Sequence, residues 1–159
     1  MNDMKRLKLE YLKDEPSSYS LLLEYLQQVD HKFNPPIGSR VSLPDFARKA
    51  LSSGYVIVAR DADTGTTEGA TIFYCTPTEY EYAFVSYIAS SGSRKGVGSL
   101  LLSEIIAHCR RAGSKGIKSQ TWETNEPSKA LFAKFGFVIT GLANNRGNDE
   151  NSVLLQLDF

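Results

Sequence analysis

The chain has 159 residues, 42% hydrophobic and 23% charged, with 18 Lys and Arg balanced by 18 Asp and Glu. That is one domain of ordinary globular composition, long enough to bury a core without disulfides or a metal. A net charge of zero argues against a dedicated nucleic-acid binder, and two isolated cysteines, Cys75 and Cys109, make neither a disulfide framework nor a metal site.

The N-terminal stretch Met1–Pro16 lacks the apolar core of a signal peptide, and no apolar run approaches the roughly 18 residues of a membrane span. The expectation is a soluble cytoplasmic protein. Arg6–Leu12 alternates with period two and predicts a half-buried strand. Pro16 and the serines after it open a helix through Ser20–Val29, whose apolar stripe is wide. His31–Ser39 reads as an irregular loop, and Leu43–Leu51 as a short helix.

Strands follow. Tyr55–Arg60 is apolar and β-branched, Asp61–Gly69 has hairpin-turn chemistry, and Ala70–Cys75 is the return strand. Tyr80–Ala89 is a long aromatic-rich strand. Gly98–Ala112 is a helix with the buried stripe Leu101, Ile105, His108, Cys109 and Ala112, ended by Gly113. Gly116–Thr124 is a strand. Asn125–Gly136 is a short helix with Pro127 in its first turn and Gly136 as its left-handed cap. Phe137–Leu142 and Asn151–Phe159 close the chain as strands. The order β-α-α-β-β-β-α-β-α-β-β, with no repeat and no linker, predicts a single mixed α/β domain over residues 1–159.

The segment between the long strand and the next helix carries chemistry. Gly96 and Gly98 bare the backbone, and Arg94 and Lys95 add positive charge, just where a helix begins. The first N–H groups of a helix lack intrahelical partners and carry the positive end of its dipole, so they suit a phosphate. A glycine-rich turn before a helix also occurs for purely structural reasons. The spacing excludes a P-loop, which needs G-x-x-x-x-G-K-[ST], and a dinucleotide fingerprint, because Gly92, Gly96 and Gly98 run G-x-x-x-G-x-G.

Ser93-Arg94-Lys95-Gly96-Val97-Gly98 resembles the pyrophosphate loop [Q/R]-x-x-G-x-[G/A] of the GNAT superfamily of acyl-CoA N-acyltransferases. It departs at the first position, where Ser93 stands. Asn125–Phe137 resembles the second motif of that family, an Asn followed by a short helix ending in an aromatic, a basic residue and Gly-Phe. With the strand order, the resemblance covers nearly the whole chain. It implies the GNAT fold, a central, mostly antiparallel twisted sheet of about seven strands flanked by helices. It also implies acetyl-CoA as cosubstrate.

By this resemblance the pyrophosphate belongs on the backbone of Ser93, Arg94, Lys95, Gly96, Val97, Gly98 and Ser99. The 3′-phosphate is drawn by cations among Arg94, Lys95, Arg110, Arg111, Lys115 and Lys118, although a solvated helix face accounts better for Arg110, Arg111 and Lys115. The pantetheine arm pairs with Tyr87, Ile88 and Ala89, where the long strand splays from its neighbour. Asn125 caps the following helix or contacts that arm.

Many family members place a Tyr near the sulfur, on the second-motif helix. Here the matching residue is Phe132, which cannot donate a proton. Its position on the helix, off the stripe of Ala130, Leu131 and Phe135, predicts a ring facing the cleft rather than the core. Ser128, one turn earlier, or solvent then protonates the leaving thiolate. Glu79 and Glu81, which strand periodicity puts on one face, and Glu123 are the candidate bases; a solvated strand end is the alternative for Glu79 and Glu81. His31 lies in a loop that often lines the acceptor site, and His108 reads as a core-edge histidine.

The expected acceptor is a primary amine of a small molecule or peptide, with no nucleic acid, membrane or metal involved, and a homodimer is admitted. Two other classes stay open: a catalytically idle acyl-CoA sensor, and a phosphate-binding interaction domain. Residues 30–45 and 141–151, on the acceptor side, carry no readable motif.

Overall fold

The computed structural model describes residues 6–92 and 95–159. Its elements are β1 (Leu7–Tyr11), α1 (Pro16–Val29), α2 (Leu43–Ser53), β2 (Tyr55–Asp61), β3 (Thr67–Tyr74) and β4 (Tyr82–Ser90), then α3 (Val97–Ala112), β5 (Gly116–Trp122), α4 (Glu126–Lys134), β6 (Val138–Ala143) and β7 (Ser152–Asp158). Short 3-10 turns at Asp30–Lys32 and Ile37–Ser39 lie between α1 and α2. The strands form one seven-stranded sheet, ordered β1-β2-β3-β4-β5-β7-β6. Every pairing is antiparallel except β4 with β5, which is parallel. The element order and the mostly antiparallel sheet agree with the sequence reading.

Strand alternation divides the core into two layers. Ile57, Ala59, Phe73 and Cys75 face α3 and α4, while Val56, Val58, Ala70 and Ile72 face α1 and α2. Local signals set the helix ends. Ser42 caps α2 by accepting from the N–H of Asp45, and Asn125 caps α4 by accepting from that of Ser128. α3 lies between two left-handed glycines, Gly96 at φ 83° and Gly113 at φ 92°. Its buried stripe is as expected at Leu101, Ile105 and Cys109, but Ala112 is exposed and His108 only half-buried.

Two irregularities build the site. The first is a β-bulge in β4: Ile72 pairs with Tyr87 and Phe73 with Val85, so Ser86 is the extra residue. It breaks the alternation. Ala83 and Val85 face the α3–α4 layer, but Tyr87 and Ala89 face the α1–α2 layer. The second is a splay. β4 and β5 pair from Tyr82–Gly116 to Val85–Ser119 and no further, although β4 runs on to Ser90 along β3 and β5 to Trp122 along β7. The Ser119 hydroxyl donates to the Val85 carbonyl at 2.9 Å and closes the last rung. Beyond it the strands diverge with their facing edges unpaired.

β4 is shorter at its start than the sequence predicted. The N–H groups of Glu79 and Tyr80 both donate to the Thr76 carbonyl at 2.9 Å, so this stretch is a turn and not strand. Among the described residues no helix is long and apolar enough to cross a membrane.

Candidate active site

A cavity of about 590 Å3 opens in the splay. Residues 85–90 of β4 form one wall and 119–122 of β5 the other. Asn125 at the cap of α4, Pro127, Ser128, Leu131 and Phe132 of α4, Gly92, Gly98 of α3, and Lys32, Phe33, Ile37, Arg40, Phe46 and Arg146 complete it.

Two backbone features suit a long phosphorylated ligand. The unpaired edge of β4 at Tyr87, Ile88 and Ala89 offers amide and carbonyl groups that β5 does not take up. The start of α3 has no side-chain cap, and the N–H of Leu100 is the first to find an intrahelical acceptor, Gly96 O at 3.0 Å. The N–H groups of Val97, Gly98 and Ser99 precede it at the positive end of a sixteen-residue helix. Of the predicted loop, Ser93 and Arg94 lie outside the described residues, and Lys95 and Gly96 are exposed. Both glycines also have structural reasons. Gly96 holds its positive φ, and a Cβ on Gly98 would come within 3.0 Å of Leu131. Val97 offers only backbone, because its side chain is buried in the core, and the Ser99 hydroxyl accepts from Lys134 at 3.3 Å.

On α4 the sequence reading needs one correction. Phe132 is 1% exposed and packs edge-to-face on Phe137, with ring centroids 4.9 Å apart. It is a core residue of the α3–α4 layer that also floors the cavity, not a ring turned away from the core. Asn125 uses both ends of its amide internally, accepting from Ser128 N–H at 3.3 Å and donating to the Thr121 hydroxyl at 2.8 Å. It borders the cavity as a cap. Ser128 borders it with a hydroxyl that bonds to none of the described residues.

The carboxylates are not where the sequence suggested. Glu79 lies in the turn before β4, and Glu81 makes an exposed 2.8 Å ion pair with Lys115, beside the start of β5. That pairing holds the Glu81 carboxyl below the usual range. Both lie at the paired end of β4, and the cavity lies at the splayed end. Glu123 bonds Asn151 O through its own N–H and is not on the cavity wall. The expected cation cluster also disperses. Arg110 covers Phe159, Arg111 pairs with Glu104, and Lys118 lies over Tyr82, all away from the start of α3. His31 is not on the wall; its neighbour Lys32 is, donating to the carbonyls of Ser90 and Ser91 at 3.3 and 2.7 Å. His108 stands at the core edge among Tyr11, Tyr55 and Phe73, as expected.

The residues that sequence reasoning missed lie on the α1–α2 side. Phe33 stacks on Tyr87 at 5.0 Å and meets Trp122 edge-on at 6.0 Å, and Phe46 meets Tyr87 at 6.2 Å. Arg40 and Arg146 come from the two segments without motifs. The Tyr87 hydroxyl is buried with no partner among the described residues, and burial pushes its pKa up, so it stays protonated with a proton available to donate. Among the described wall residues there is no Asp, Glu or His.

No curated protein matches the chain. Solved structures do. A GCN5-related N-acetyltransferase from Kribbella flavida aligns with TM-score 0.75 at 19% identity, over 98% of this chain and 99% of the other. The ribosomal-protein-S18-alanine N-acetyltransferase of Escherichia coli gives 0.74 at 18% identity, over 96% and 93%. A Bacillus subtilis acetyltransferase in complex with CoA gives 0.70 at 20%, over 96% and 99%. The sequence model described as the acetyltransferase (GNAT) family matches residues 23–137. That span runs from α1 through both motifs and the splayed strands, and the protein accordingly belongs to the GNAT acetyltransferases, a family whose cosubstrate is acetyl-CoA.

Proposed function

We propose that the protein transfers the acetyl group of acetyl-CoA directly to a primary amine bound on the α1–α2 side of the cavity. The observation that carries this reading is the splay: beyond Val85 the edge of β4 that faces β5 is unpaired among the described residues, and it leads toward the uncapped start of α3. The edge and the helix start fit the pantetheine amides and the pyrophosphate in turn.

Bound acetyl-CoA supplies the thioester. The amine nitrogen forms the new C–N bond, the C–S bond breaks, and the sulfur leaves as thiolate. With no carboxylate or imidazole on the described wall, the chain contributes mainly binding, orientation and exclusion of water. The amine proton goes to solvent. The Ser128 hydroxyl and solvent are the proton sources for the thiolate, since Phe132 offers none. The same bare wall favours a second reading, a sensor that binds acyl-CoA without turnover.

Calorimetric titration with acetyl-CoA and a thiol-release screen over small amines, amino acids, polyamines and peptides test both. Binding with amine-dependent thiol release is expected. Binding with no release from any amine supports the sensor, and no binding overturns both readings.

A further inference from the structure

The cavity wall carries three cations and no carboxylate among the described residues. Lys32 is tied to the carbonyls at the end of β4. The other two form a pair on the opposite arm of the splay. Arg146 donates from Nε to Asn34 O at 2.7 Å and from Nη1 to Ser152 Oγ at 2.9 Å, and its guanidinium lies 5.5 Å from the Trp122 ring centroid. Arg40 donates from Nη2 to Asn145 O at 2.8 Å.

Every one of these acceptors is neutral, and neither guanidinium has a carboxylate within ion-pair distance among the described residues. Arg146 is further destabilised as a cation by burial and by the charge of Arg40. Glu150, whose charge partly offsets this, accepts from Thr124 N and Oγ1, both at 2.9 Å. Thus two like charges are held together, Arg146 half-buried and Arg40 exposed, with fork-shaped donors left over. A carboxylate answers both the charge and the geometry.

The pair is not placed for the phosphates of the cofactor. The start of α3 follows the β4 arm, whereas Arg146 stands on Trp122 at the end of the β5 arm, and the arms diverge. Between them lie Phe33, Trp122 and Tyr87, an apolar surface with one hydroxyl that has no partner among the described residues.

We propose that the amine acceptor carries a carboxylate, held by Arg40 and Arg146, on an apolar body that packs against Phe33 and Trp122: an amino acid of apolar or aromatic side chain. This rests on the acetyl-transfer reading above and narrows its acceptor.

The test pairs apolar and aromatic amino acids with their decarboxylated amines in the thiol-release assay, and measures binding of the N-acetylated amino acids to CoA-saturated protein by calorimetry. The carboxylate is expected to raise kcat/KM about ten- to hundredfold, the worth of a charge-assisted contact. Arg40→Gln, at an exposed residue, and Arg146→Lys, which keeps the charge and loses the fork, should each erode that preference and leave acetyl-CoA affinity intact. Equal turnover of the decarboxylated amines, or an undiminished preference in both variants, overturns the proposal and leaves acetyl transfer standing. If no acceptor turns over, binding of an N-acetylated amino acid that both variants weaken still supports it, and absence of such binding overturns it. Failure to bind CoA at all overturns the acetyl-transfer reading and this proposal together.

Discussion

Phe132 separates a packing role from a ligand role. Its ring is 1% exposed and edge-on to Phe137. Removing a buried phenyl costs about 3–5 kcal/mol, of which the aromatic pair supplies roughly 0.5–1.5. In a chain of this size about 4 kcal/mol lowers Tm by roughly 8–16 °C. Phe132→Leu keeps most of the apolar volume and loses the ring pair, so about 1–1.5 kcal/mol, or roughly 2–6 °C, is expected. Both variants are to be melted with and without acetyl-CoA, and the cofactor KM measured on each. For the leucine variant that KM should stay within about threefold of the parent, since leucine still floors the cavity. Two results refute the reasoning: an alanine variant that loses less than about 3 °C, or a leucine variant with parental Tm and a cofactor KM raised about tenfold. Either makes Phe132 a cofactor contact rather than a core residue.

Tyr87→Phe removes a buried hydroxyl that has no partner among the described residues, so Tm should hold or rise by about 2–4 °C, while a hydrogen-bonded acceptor would show a raised KM; a clear fall in Tm would mean the hydroxyl is satisfied in the free protein. Glu79→Gln and Glu81→Gln should leave kcat unchanged, because both residues lie at the paired end of β4; a tenfold or greater loss (about 1.4 kcal/mol) in thiol release contradicts that placement. Burial and Arg111 hold the pKa of His108 below its ordinary value, about 6.5 when unfolded. The unfolded chain therefore binds the extra proton first, and stability falls as pH drops below about 6.5, a slope that His108→Gln should flatten in urea titrations at several pH values. Acetyl-CoA affinity should weaken with added salt, as a phosphate–cation contact requires, and indifference to salt in calorimetry would count against it.

Periodicity and punctuation made much of the fold legible. Pro16, Pro127, Gly113 and Gly136 mark helix ends where the structure has them, and the apolar runs became strands. The bulge at Ser86 was not legible. Strict alternation puts Ala83, Val85, Tyr87 and Ala89 on one face, and only pairing with β3 reveals the inserted residue that turns Tyr87 to the other. The glutamates were misplaced for a related reason. The aromatic run Tyr80–Phe84 looks like continuous strand, but Thr76 folds its first residues into a turn. Phe132 was misjudged because helical position fixes a direction and not what lies along it; Phe137, beyond the helix end, covers that direction with core. Arg40 and Arg146 stood in the open in the sequence, isolated among Gly, Pro, Ser and Asn. No periodicity links residues 106 positions apart, and only the folded chain brings both to one cavity.

The most direct measurement is a crystal structure of the protein with CoA. The account predicts the pantetheine amides paired with the free edge of β4 at residues 87–89, the pyrophosphate on the N–H groups that open α3, and the sulfur in the cavity between the β4 and β5 arms. CoA bound elsewhere, with β4 and β5 closed onto each other beyond Val85 and Ser119, would contradict it.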